Sequence, residues 1–452
     1  GKKQLAKLLT ENKTEAILEK QSAINELSGK VKWRQHFSAL ASLVNVKNKS
    51  NLIVNWILNY KAVFPKNLLK LQVVFSLCSL ALLSLVSFGF LSFTYLLLWF
   101  FVGLFITGSF IKKTSNLYAE TDKVRETFKQ YHILLNEIEA EKFTSVNLNE
   151  KQKIIQSENK KASTIFKEFS KILDAFDNRN NVIIAVLGNG LFLTEILNAC
   201  KVEKWIVGYK HTVEKWFKVV AYFDAQNSLA NFKFNHPNFV FPEISSEKEI
   251  IKSTNLGHPL LNVDKRVDND FLIDDEQFFI VTGANMAGKS TFLRTVGVNL
   301  VLAKCGGPVC ASSFEFKPIT LFTSMRTSDD LADETSYFHA ELLRLKQLVD
   351  LTKNKSQVFI ILDEILKGTN STDKLNGSKR FLTKLLELPI SGLVATHDLE
   401  LGKLEKEFPE NFKNTCFEIA ITGNDIDYDY KLKSGVSQNM NATILMEGMG
   451  LI

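Results

Sequence analysis

The pattern of apolar and charged positions divides the 452-residue chain into four segments. Residues 1–70 mix Lys and Glu with Leu, Ile and Ala, which is typical of solvated helices that pack on a neighbour. Residues 71–111 contain no Asp, Glu, Lys or Arg. Residues 112–242 return to dense charge with apolar stripes at helical spacing, and residues 243–452 alternate strand-like and helix-like stretches. We predict a helical N-terminal segment, a membrane hairpin, a helical core or lever domain, and an α/β domain with these bounds.

The uncharged segment 71–111 is long enough for two membrane-spanning helices, each of which needs about 20 residues. A turn signal around Gly89 predicts helices over about 71–88 and 93–111. Lysines flank both ends of this hairpin, and the positive-inside rule then places both ends on the cytoplasmic side. We therefore expect a protein of the cytoplasmic (inner) membrane, with its α/β domain facing the cytosol. The alternative is a buried helical hairpin within a large soluble core.

In the last segment, four apolar runs are predicted strands, with helical stretches between them. They cover residues 278–282, 358–362, 391–395 and 415–421. Strands that alternate with helices in this way form a parallel sheet covered by helices on both faces. The predicted fold class is therefore an α/β domain, preceded by an all-α core or lever region and the transmembrane hairpin.

A glycine-rich loop follows the first of these strands and precedes a helical stretch. It reads Gly283-Ala-Asn285-Met286-Ala-Gly288-Lys289-Ser290-Thr291. The sequence fits G-x-x-x-x-G-K-[ST], in which glycines let backbone N–H groups crowd around phosphate oxygens and the helix N-terminus adds partial positive charge. Lys289 would reach the outer phosphates, and Ser290 would offer its hydroxyl to Mg²⁺. We predict that a nucleoside triphosphate and Mg²⁺ bind here, in an α/β domain of the P-loop NTPase type.

Two further predicted strands end in side chains that suit hydrolysis of such a ligand. Strand 358–362 is followed by Asp363 and Glu364, which would lie near Mg²⁺ and near the attacking water respectively, with Glu364 as general base. Strand 391–395 is followed by His397, which would sense the terminal phosphate and couple it to a dimer interface. The alternatives are an acidic pair that faces solvent and a histidine with a purely structural role.

A strongly periodic helix pattern opens around Ser336. A serine at a helix N-terminus can donate a hydrogen bond to a phosphate group, and the helix dipole favours the same anion. The same position also suits an N-cap, which would be a structural role only. The sequence pattern leaves both roles open.

Taken together, these motifs resemble those of the MutS family of DNA mismatch repair ATPases. The loop with Asn285 and Met286 looks like the family's TGPNMGGKST, the segment 362–369 looks like LDEIGRGT, and the residues up to His397 match ATH. The resemblance is specific over about 220–440.

The resemblance implies ATP binding and hydrolysis of the MutS/ABC type, with Mg²⁺ as cofactor and a homodimer formed through the ATPase domains. The loop residues from Gly283 to Thr291 would contact the nucleotide. Phe271 falls where the family places an aromatic ring against adenine. Ser336 falls at the serine that contacts the nucleotide across the dimer. The output would be movement of a helical arm, which in this family acts on DNA, either duplex or branched.

Other features depart from the family. A mismatch-reading domain and a connector domain are not recognised, and the hairpin 71–111 stands in their place. The stretch 370–377 is expected as a loop longer than in the repair enzymes. The net charge of +6 permits a nucleic-acid partner but does not require one. The resemblance therefore implies ATP binding and hydrolysis, whereas mismatch reading is not implied.

Three functions remain open from the sequence. The first is a membrane-anchored MutS-like ATPase that dimerises through its nucleotide sites and acts on DNA, in a process related to mismatch repair or recombination. The second is a nucleotide-gated membrane scaffold that does not bind DNA. The third is a transporter ATPase, which would be expected to carry a Leu-Ser-Gly-Gly-Gln signature that this sequence lacks.

Overall fold

The structure is a computed structural model that divides into two compact units. It describes residues 1–43, 50–156, 160–325, 337–353, 357–366, 370–422 and 425–438. The first unit consists of Gly1–Lys2 and Lys30–Asn227, and the second consists of Lys3–Gly29 and Ser228–Ile452.

Helices dominate the first half of the chain, and strands enter only in the second half. Among the described residues, the α-helices in chain order are α1 (Lys2–Thr10), α2 (Ile17–Gly29), α3 (Val31–Ser42), α4 (Ser50–Asn59), α5 (Leu68–Ser87), α6 (Phe93–Asp122), α7 (Arg125–Ala140), α8 (Val146–Ile155), α9 (Ala162–Asp177), α10 (Val182–Phe192), α11 (Thr194–Asn235), α12 (Lys289–Lys304), α13 (Tyr337–Thr352), α14 (Ser371–Leu385) and α15 (Leu404–Glu407). The strands are β1 (Glu243–Ile244), β2 (Glu249–Leu256), β3 (Asn269–Asp274), β4 (Phe278–Gly283), β5 (Ser313–Phe316), β6 (Thr320–Ser324), β7 (Val358–Asp363), β8 (Ile390–Ala395), β9 (Phe412–Thr422) and β10 (Asp425–Ser434). This order confirms a helical N-terminal region followed by a mixed α/β region.

The first unit is helical, and aromatic side chains on α7, α9 and α11 form its core. Apolar residues recur every three or four positions along α9, so one face of this helix is buried. Phe128 of α7 and Trp205 of α11 both contact Phe169 of α9, with ring centroids 4.8 and 3.8 Å from it. All three side chains are buried, and burial of such large apolar groups is the main contribution that stabilises the packing of these helices.

Helices α5 and α6 form the predicted hairpin. Gly89 makes the turn at φ +80°, a left-handed conformation that glycine adopts without strain, and the Ser92 side chain caps the first turn of α6. Both helices are long enough and apolar enough to cross a membrane. Helix α5 lies close to its predicted range, whereas α6 continues through Asp122, beyond the predicted end at residue 111. The charged residues after Ile111 end the apolar pattern but do not interrupt the helix.

A second difference concerns the stretch after α9, where the sequence predicts helices over 182–200 and 210–232. The structure places the break at Leu193 instead, and α10 meets α11 there at an angle of 85°. Leu193 adopts left-handed dihedral angles (φ 50°, ψ 43°). The Asn189 side chain accepts a hydrogen bond from the N–H of Glu195 (2.8 Å) and so caps the start of α11. The break follows Gly188-Asn189-Gly190 by three residues, and this turn-type sequence is the local signal that the predicted bounds do not use.

The second unit contains a six-stranded sheet of order β10-β9-β4-β8-β7-β6. Strands β9, β4, β8, β7 and β6 run parallel, and β10 pairs antiparallel with β9 at one edge. The four predicted strands correspond to β4, β7, β8 and β9, with slightly longer bounds. Every residue of β7 and β8 is buried, because separate apolar cores cover the two faces of the sheet.

A second sheet in this unit is not predicted by the sequence. It has the order β1-β5-β2-β3, and β2 pairs antiparallel with both β3 and β5. Strand β2 alternates only partly between buried and exposed residues, and β1 is two residues long. Such short and partly polar strands carry too weak a periodic signal to be recognised before their partners are known.

The predicted segment 1–70 is shared between the two units. Its part Lys3–Gly29, which includes α2 and nearly all of α1, belongs to the second unit, and the remainder belongs to the first. Ile17 lies in the apolar core of that unit and is 2% exposed. Asn12, between the two helices, adopts a left-handed φ of 55° that asparagine tolerates. Its side chain donates to the backbone O of Leu321 (2.8 Å) and accepts from the N–H of the same residue (3.0 Å). Asn12 therefore pairs with the edge strand β6 in the way that another strand would.

We expect Asn12→Ala to destabilise the second unit. The substitution removes a hydrogen-bond partner from both backbone groups of Leu321 and from the buried ammonium of Lys304. The free energy of unfolding should fall by about 1–3 kcal/mol, the usual penalty when such polar groups lose a partner. Thermal unfolding followed by intrinsic fluorescence would measure this as a lower Tm. Glu15→Ala, at an exposed position nearby, is the matched control, and an equal Tm for the two variants would contradict this role of Asn12.

Candidate functional site

The carboxyl ends of β4, β7 and β8 meet at one edge of the six-stranded sheet. The register places Val281 of β4 and Asp363 of β7 on either side of Ala395 of β8. The residues that follow these three strands are therefore neighbours, although they lie far apart in the sequence. In open parallel sheets, ligands bind in the crevice at this edge. The glycine-rich loop, the acidic pair and His397 are brought to a single place.

The loop between β4 and α12 has a backbone that depends on two glycines. Gly283 has φ +145°, and a Cβ at this position would lie 2.6 Å from the backbone O of Phe417. Gly288 has φ +114° and begins α12 without a side-chain cap. Uncapped N–H groups at a helix N-terminus, together with the helix dipole, favour an anion at this point.

The other residues of the loop motif surround the same helix N-terminus. Asn285 and Met286 are exposed, and Met286 reaches 76% exposure with a left-handed φ of 66°. Ser290 is half-buried and Thr291 is exposed in the first turn of α12. The structure therefore collects these four predicted residues at one end of α12, and their contacts with a nucleotide stay predictions.

Lys289 is a buried cation at the centre of this edge, with 5% of its surface exposed. Its ammonium donates to the backbone O of Gly283 (2.7 Å) and of Ala284 (2.8 Å). Burial lowers the pKa of Lys289 to about 8, while the charges of Glu364 and Asp363 act in the opposite direction. An added anion would favour the charged form of this lysine, because the ammonium has lost most of its hydration.

Glu364 and His397 contact each other, with Oε1 2.7 Å from Nε2. His397 Nδ1 lies 3.5 Å from Nζ of Lys289, so one imidazole stands between the acid and the cation. Glu364 has a left-handed φ of 56°, and its N–H donates to the backbone O of Ala395 (2.9 Å). A non-glycine residue in this conformation is strained, and such strain is concentrated at functional sites. The alternative of a solvent-facing acidic pair does not hold, because Asp363 is only 7% exposed.

Phe271 lies in the core and not at the surface of the loop. Its ring is 3% exposed and packs against Phe279 and Phe292, with centroids 5.6 and 5.4 Å away. The cause is the alternation along β3, in which every second residue points into the core. The predicted contact between Phe271 and adenine is therefore left without structural support.

A different aromatic residue, which is not among the predicted site residues, lies beside the loop. Tyr430 of β10 is 41% exposed, and one of its ring atoms lies 3.1 Å from where a Cβ on Gly288 would be. Its ring stacks on Tyr428 at a centroid distance of 5.8 Å. The backbone O of Tyr430 accepts from the Asn269 side chain (3.1 Å), which fixes this end of β10. Only the pairing of β10 with β9 brings these rings near the loop, so the sequence holds no local signal for them.

Ser336 lies outside the described residues, and α13 is described from Tyr337 onward. Both proposed roles of this serine therefore stay predictions. Within α13, the Glu341 carboxylate accepts a hydrogen bond from the N–H of Leu366 (2.6 Å). This bond connects the helix to the segment that follows the acidic pair.

The stretch 370–377, expected as a loop, forms the start of helix α14 instead. The side-chain oxygen of Asn370 accepts from the N–H of Asp373 (2.8 Å), so Asn370 is a helix N-cap. The expectation of a loop was wrong because it rested on polar composition, whereas the Asn-Ser-Thr-Asp order is itself typical of a helix start.

The chain matches the family described as MutS domain V over residues 279–445, a range that contains the loop, the acidic pair and His397. This matched part of the chain belongs to the MutS family. The chain is 32% identical over 223 residues to the DNA mismatch repair protein MutS of Thermotoga maritima, a match that covers 48% of this chain and 27% of that relative. The DNA mismatch repair protein MutS of Thermotoga neapolitana is 28% identical over 324 residues, which is 71% of this chain and 36% of the relative. MutS protein homolog 4 of Homo sapiens is 29% identical over 253 residues, which is 54% of this chain and 26% of the relative.

These matches confirm the family resemblance that the loop, the acidic pair and the histidine motif predict. The chain spans between 26% and 36% of the length of these three relatives. MutS membership therefore concerns the shared part of the chain, and it includes every described residue of the site from the loop to Tyr430.

We expect the affinity for ADP, a phosphate-bearing probe, to depend on pH through Lys289. The bound anion favours the charged ammonium and so raises the pKa of this group above its value of about 8. Below that pH the lysine is already charged, so the affinity should be nearly constant. Above it a proton must be taken up on binding, and the affinity should fall by up to about tenfold per pH unit. Isothermal titration at pH values on both sides of 8 measures this change.

Lys304 provides the matched control, because burial lowers its pKa to about 8 as well, while it contacts Asn12 and not the loop. Lys304→Met should keep the pH dependence of ADP binding. Lys289→Met should lose that dependence together with most of the affinity. If Lys289→Met binds ADP with the same pH profile as the unmodified protein, the assignment of this lysine is wrong.

Proposed function

We propose that the second unit is a P-loop NTPase domain of the MutS/ABC type, which binds and hydrolyses ATP. The observation that carries this proposal is the meeting of Lys289, His397 and Glu364 in one chain of contacts at the ends of three parallel strands. A phosphate-binding loop, a candidate general base and a side chain that holds this base are the parts that such a site requires. Membership of the MutS family supports the proposal independently of the geometry.

The phosphates of ATP would bind in the loop from Gly283 to Thr291, around the N-terminus of α12. Lys289 would exchange its two backbone carbonyl partners for phosphate oxygens. The hydroxyl of Ser290 and the carboxylate of Asp363 are oxygen donors, and this donor chemistry fits Mg²⁺. When bound, Mg²⁺ would neutralise charge on the phosphate oxygens.

Glu364 would act as the general base that takes a proton from the attacking water. Its carboxylate is held by His397, whose other ring nitrogen faces the ammonium of Lys289. A phosphate that draws Lys289 toward itself would change the surroundings of this imidazole and release or reorient Glu364. His397 is therefore proposed as a positioning residue that transmits the presence of the terminal phosphate to the base.

Tyr430 is proposed to face the adenine base in place of Phe271. The ring of Tyr430 is partly exposed and lies beside Gly288, at the start of α12. Stacking of a nucleotide base on an aromatic ring requires such an accessible face. The buried ring of Phe271 would then support the sheet from the core side.

We further propose that the ATPase units form a homodimer, in which Ser336 of the partner subunit completes each nucleotide site. The helices of the first unit would serve as an arm whose position depends on the bound nucleotide. The proposed output is DNA binding in mismatch repair or recombination, and the name of two relatives, DNA mismatch repair protein MutS, supports the first of these. The proposed ligand class is duplex or branched DNA, without mismatch reading.

Helices α5 and α6 are proposed to anchor the protein in the cytoplasmic membrane, with the ATPase unit facing the cytosol. Large apolar side chains on both helices are more than 40% exposed, among them Val74, Leu77, Leu98, Phe101 and Phe105. An exposed apolar surface on helices of this length suits lipid and not water. The lysines at both ends of the hairpin support a cytoplasmic location for its two ends.

A nucleotide-gated membrane scaffold without DNA binding is the second candidate, since the same site and hairpin would serve it. The transporter alternative has less support. The described residues contain two helices that suit membrane spans, or up to three if the bent pair α10–α11 is counted, which is few for a transport pathway.

Glu364→Gln should keep ATP binding and lower the rate of hydrolysis by about 10²–10⁴-fold, the usual contribution of a general base. The amide retains the size of the carboxylate but cannot accept the proton. Steady-state phosphate release and size-exclusion light scattering with ATP would measure the lost turnover and an accumulated ATP-bound dimer. Glu400→Gln is the matched control, because this exposed carboxylate follows β8 but pairs with Lys403. Normal hydrolysis by Glu364→Gln would refute the assignment of the base.

DNA binding should be visible as a nucleotide-dependent shift when duplex, mismatched or branched DNA is titrated with the detergent-solubilised protein. Because phosphate contacts release counterions, the affinity should fall as salt increases. Titrations at low and at physiological salt, each with ATP and with ADP, separate the two candidates. Absence of binding to every DNA at both salt concentrations would favour the scaffold over the DNA-acting ATPase.

A further inference from the structure

We infer that α10 is a third element embedded in the membrane, a re-entrant half-helix whose first two turns contact lipid acyl chains. This inference rests on the proposed anchoring of α5 and α6 in a bilayer. The proposed membrane contact lies in residues 182–193, outside the charge-free segment 71–111 from which the hairpin is predicted.

The first two turns of α10 are apolar and open. The whole stretch from Val182 to Leu193 contains no charged residue. Large side chains in the first two turns of the helix have exposures between 42% and 72%, namely Val182, Ile183, Ile184, Val186 and Leu187. A contiguous apolar surface of this kind is unfavourable in water and marks a contact with another apolar phase.

The last turn of α10 lies directly against the hairpin, within its uncharged part. A Cβ added to Gly103 of α6 would lie 2.2 Å from the backbone O of Gly190, so the two backbones touch at this pair of glycines. The ring of Phe100 fills the space beside Gly190. Residues 100 and 103 lie near the middle of the predicted span 93–111. Helix α10 therefore reaches the same depth as the centre of that span, and the phase that surrounds the hairpin there also surrounds α10.

The break after α10 leaves backbone groups that hydrocarbon would not tolerate, and polar side chains satisfy them. The backbone O of Phe192 accepts hydrogen bonds from Nε2 of Gln72 (3.0 Å) and Oγ of Ser76 (3.3 Å) on α5. Asn189 accepts from the N–H of Glu195 and from the hydroxyl of Thr194. Irregular backbone at membrane depth occurs only where protein supplies such partners. The two buried amides Gln72 and Asn189, in otherwise apolar helices, are explained by this requirement.

Both ends of α10 return to the same side of the hairpin. Arg179, just before α10, forms an ion pair with Glu195, just after the break, at 3.3 Å. Both side chains also contact α6 directly after its lysine pair, Arg179 at Ser115 and Glu195 at Thr114. Eleven residues of helix span about 16 Å, whereas the hydrocarbon core is about 30 Å thick. Helix α10 therefore enters the membrane and leaves it on the cytoplasmic side without crossing it.

Depth-dependent fluorescence quenching on the full chain in phosphatidylcholine–phosphatidylglycerol vesicles tests this inference. Cys78 on α5 is exposed and serves as the reporter for the hairpin, once Cys200 is replaced by Ser, since the other three cysteines are buried. In a background that also carries Cys78→Ser, the variants Ile183→Cys and Leu187→Cys report on α10. Lys218→Cys, on the exposed side of α11, is the aqueous control. Each single thiol is labelled with bimane and exposed to lipids brominated in the acyl chain or to iodide in water.

We expect both labels on α10 to be quenched by brominated acyl chains and protected from iodide, with stronger lipid quenching at Leu187→Cys than at Ile183→Cys, which lies one turn nearer the cytoplasmic end of α10. If the α10 labels behave like Lys218→Cys while Cys78 is quenched by lipid, the inference is wrong and the hairpin anchor stands. If Cys78 is not quenched by lipid either, the proposed anchor itself fails. Protection of the α10 labels from both quenchers would mean that protein covers these turns, which would also overturn the inference.

A pair of glycine variants tests the packing that sets the depth of α10. Gly103→Leu places its side chain against the backbone of Gly190, whereas a Cβ on Gly108 of the same helix meets nothing within 4 Å. In the Ile183→Cys protein, Gly103→Leu should therefore reduce quenching by brominated lipid and increase quenching by iodide. Gly108→Leu should leave both unchanged. Equal quenching in the two leucine variants would contradict the placement of α10 against the centre of α6.

Discussion

Burial of the Lys289 ammonium is the constraint on which the architecture of the second unit depends. A cation that has lost its hydration must be held by oppositely charged or polar groups, and local sequence supplies only the two loop carbonyls. The acidic charges that favour it, Glu364 and Asp363, come from the neighbouring end of β7. They reach the lysine only if β4, β8 and β7 are parallel and in register. The buried sheet and the strained turn after β7 are therefore conditions for a stable cation at this edge.

The positions of the glycine-rich loop, the acidic pair and His397 can be predicted from the sequence, because each is marked by residues next to it in the chain. An apolar run, then a glycine loop, then a helix indicate where a phosphate group can bind, and acidic or histidine residues directly after other apolar runs must meet at the same edge of a parallel sheet. The residues that the sequence misplaces are those whose position depends on distant partners. Phe271 is directed inward by the pairing of β3, and Tyr430 is brought to the loop by the pairing of β10. Asn12 depends on an edge strand about which the first thirty residues carry no information.

The helical unit shows the same limit in a different form. An uncharged stretch long enough for two membrane spans predicts α5 and α6, because a buried helix of a soluble protein is usually shorter. Helix α10 is too short for that criterion, and its polar neighbours hide it further. Yet those neighbours are what a short intramembrane helix requires, because Gln72 and Asn189 supply the hydrogen bonds that its ends need. A polar residue inside an apolar helix is thus informative only when the backbone group that it satisfies is known.

The polar groups around Phe192 and those around Lys289 differ in how exposed they are. This difference in exposure decides what each cluster can do. Around Phe192, the amide partner Gln72 is buried, so replacement of its backbone acceptor by a ligand would leave a buried amide unsatisfied. Around Lys289, the side chain of His397 is 35% exposed and the loop contains exposed residues. A ligand can therefore reach the ammonium and replace its two carbonyl partners, and water can then solvate the released carbonyl groups. The first cluster therefore fixes a helix break, and the second is able to exchange partners. That difference in access, more than the identity of the residues, is what makes the edge of the sheet a site for chemistry and the break at Leu193 a structural joint.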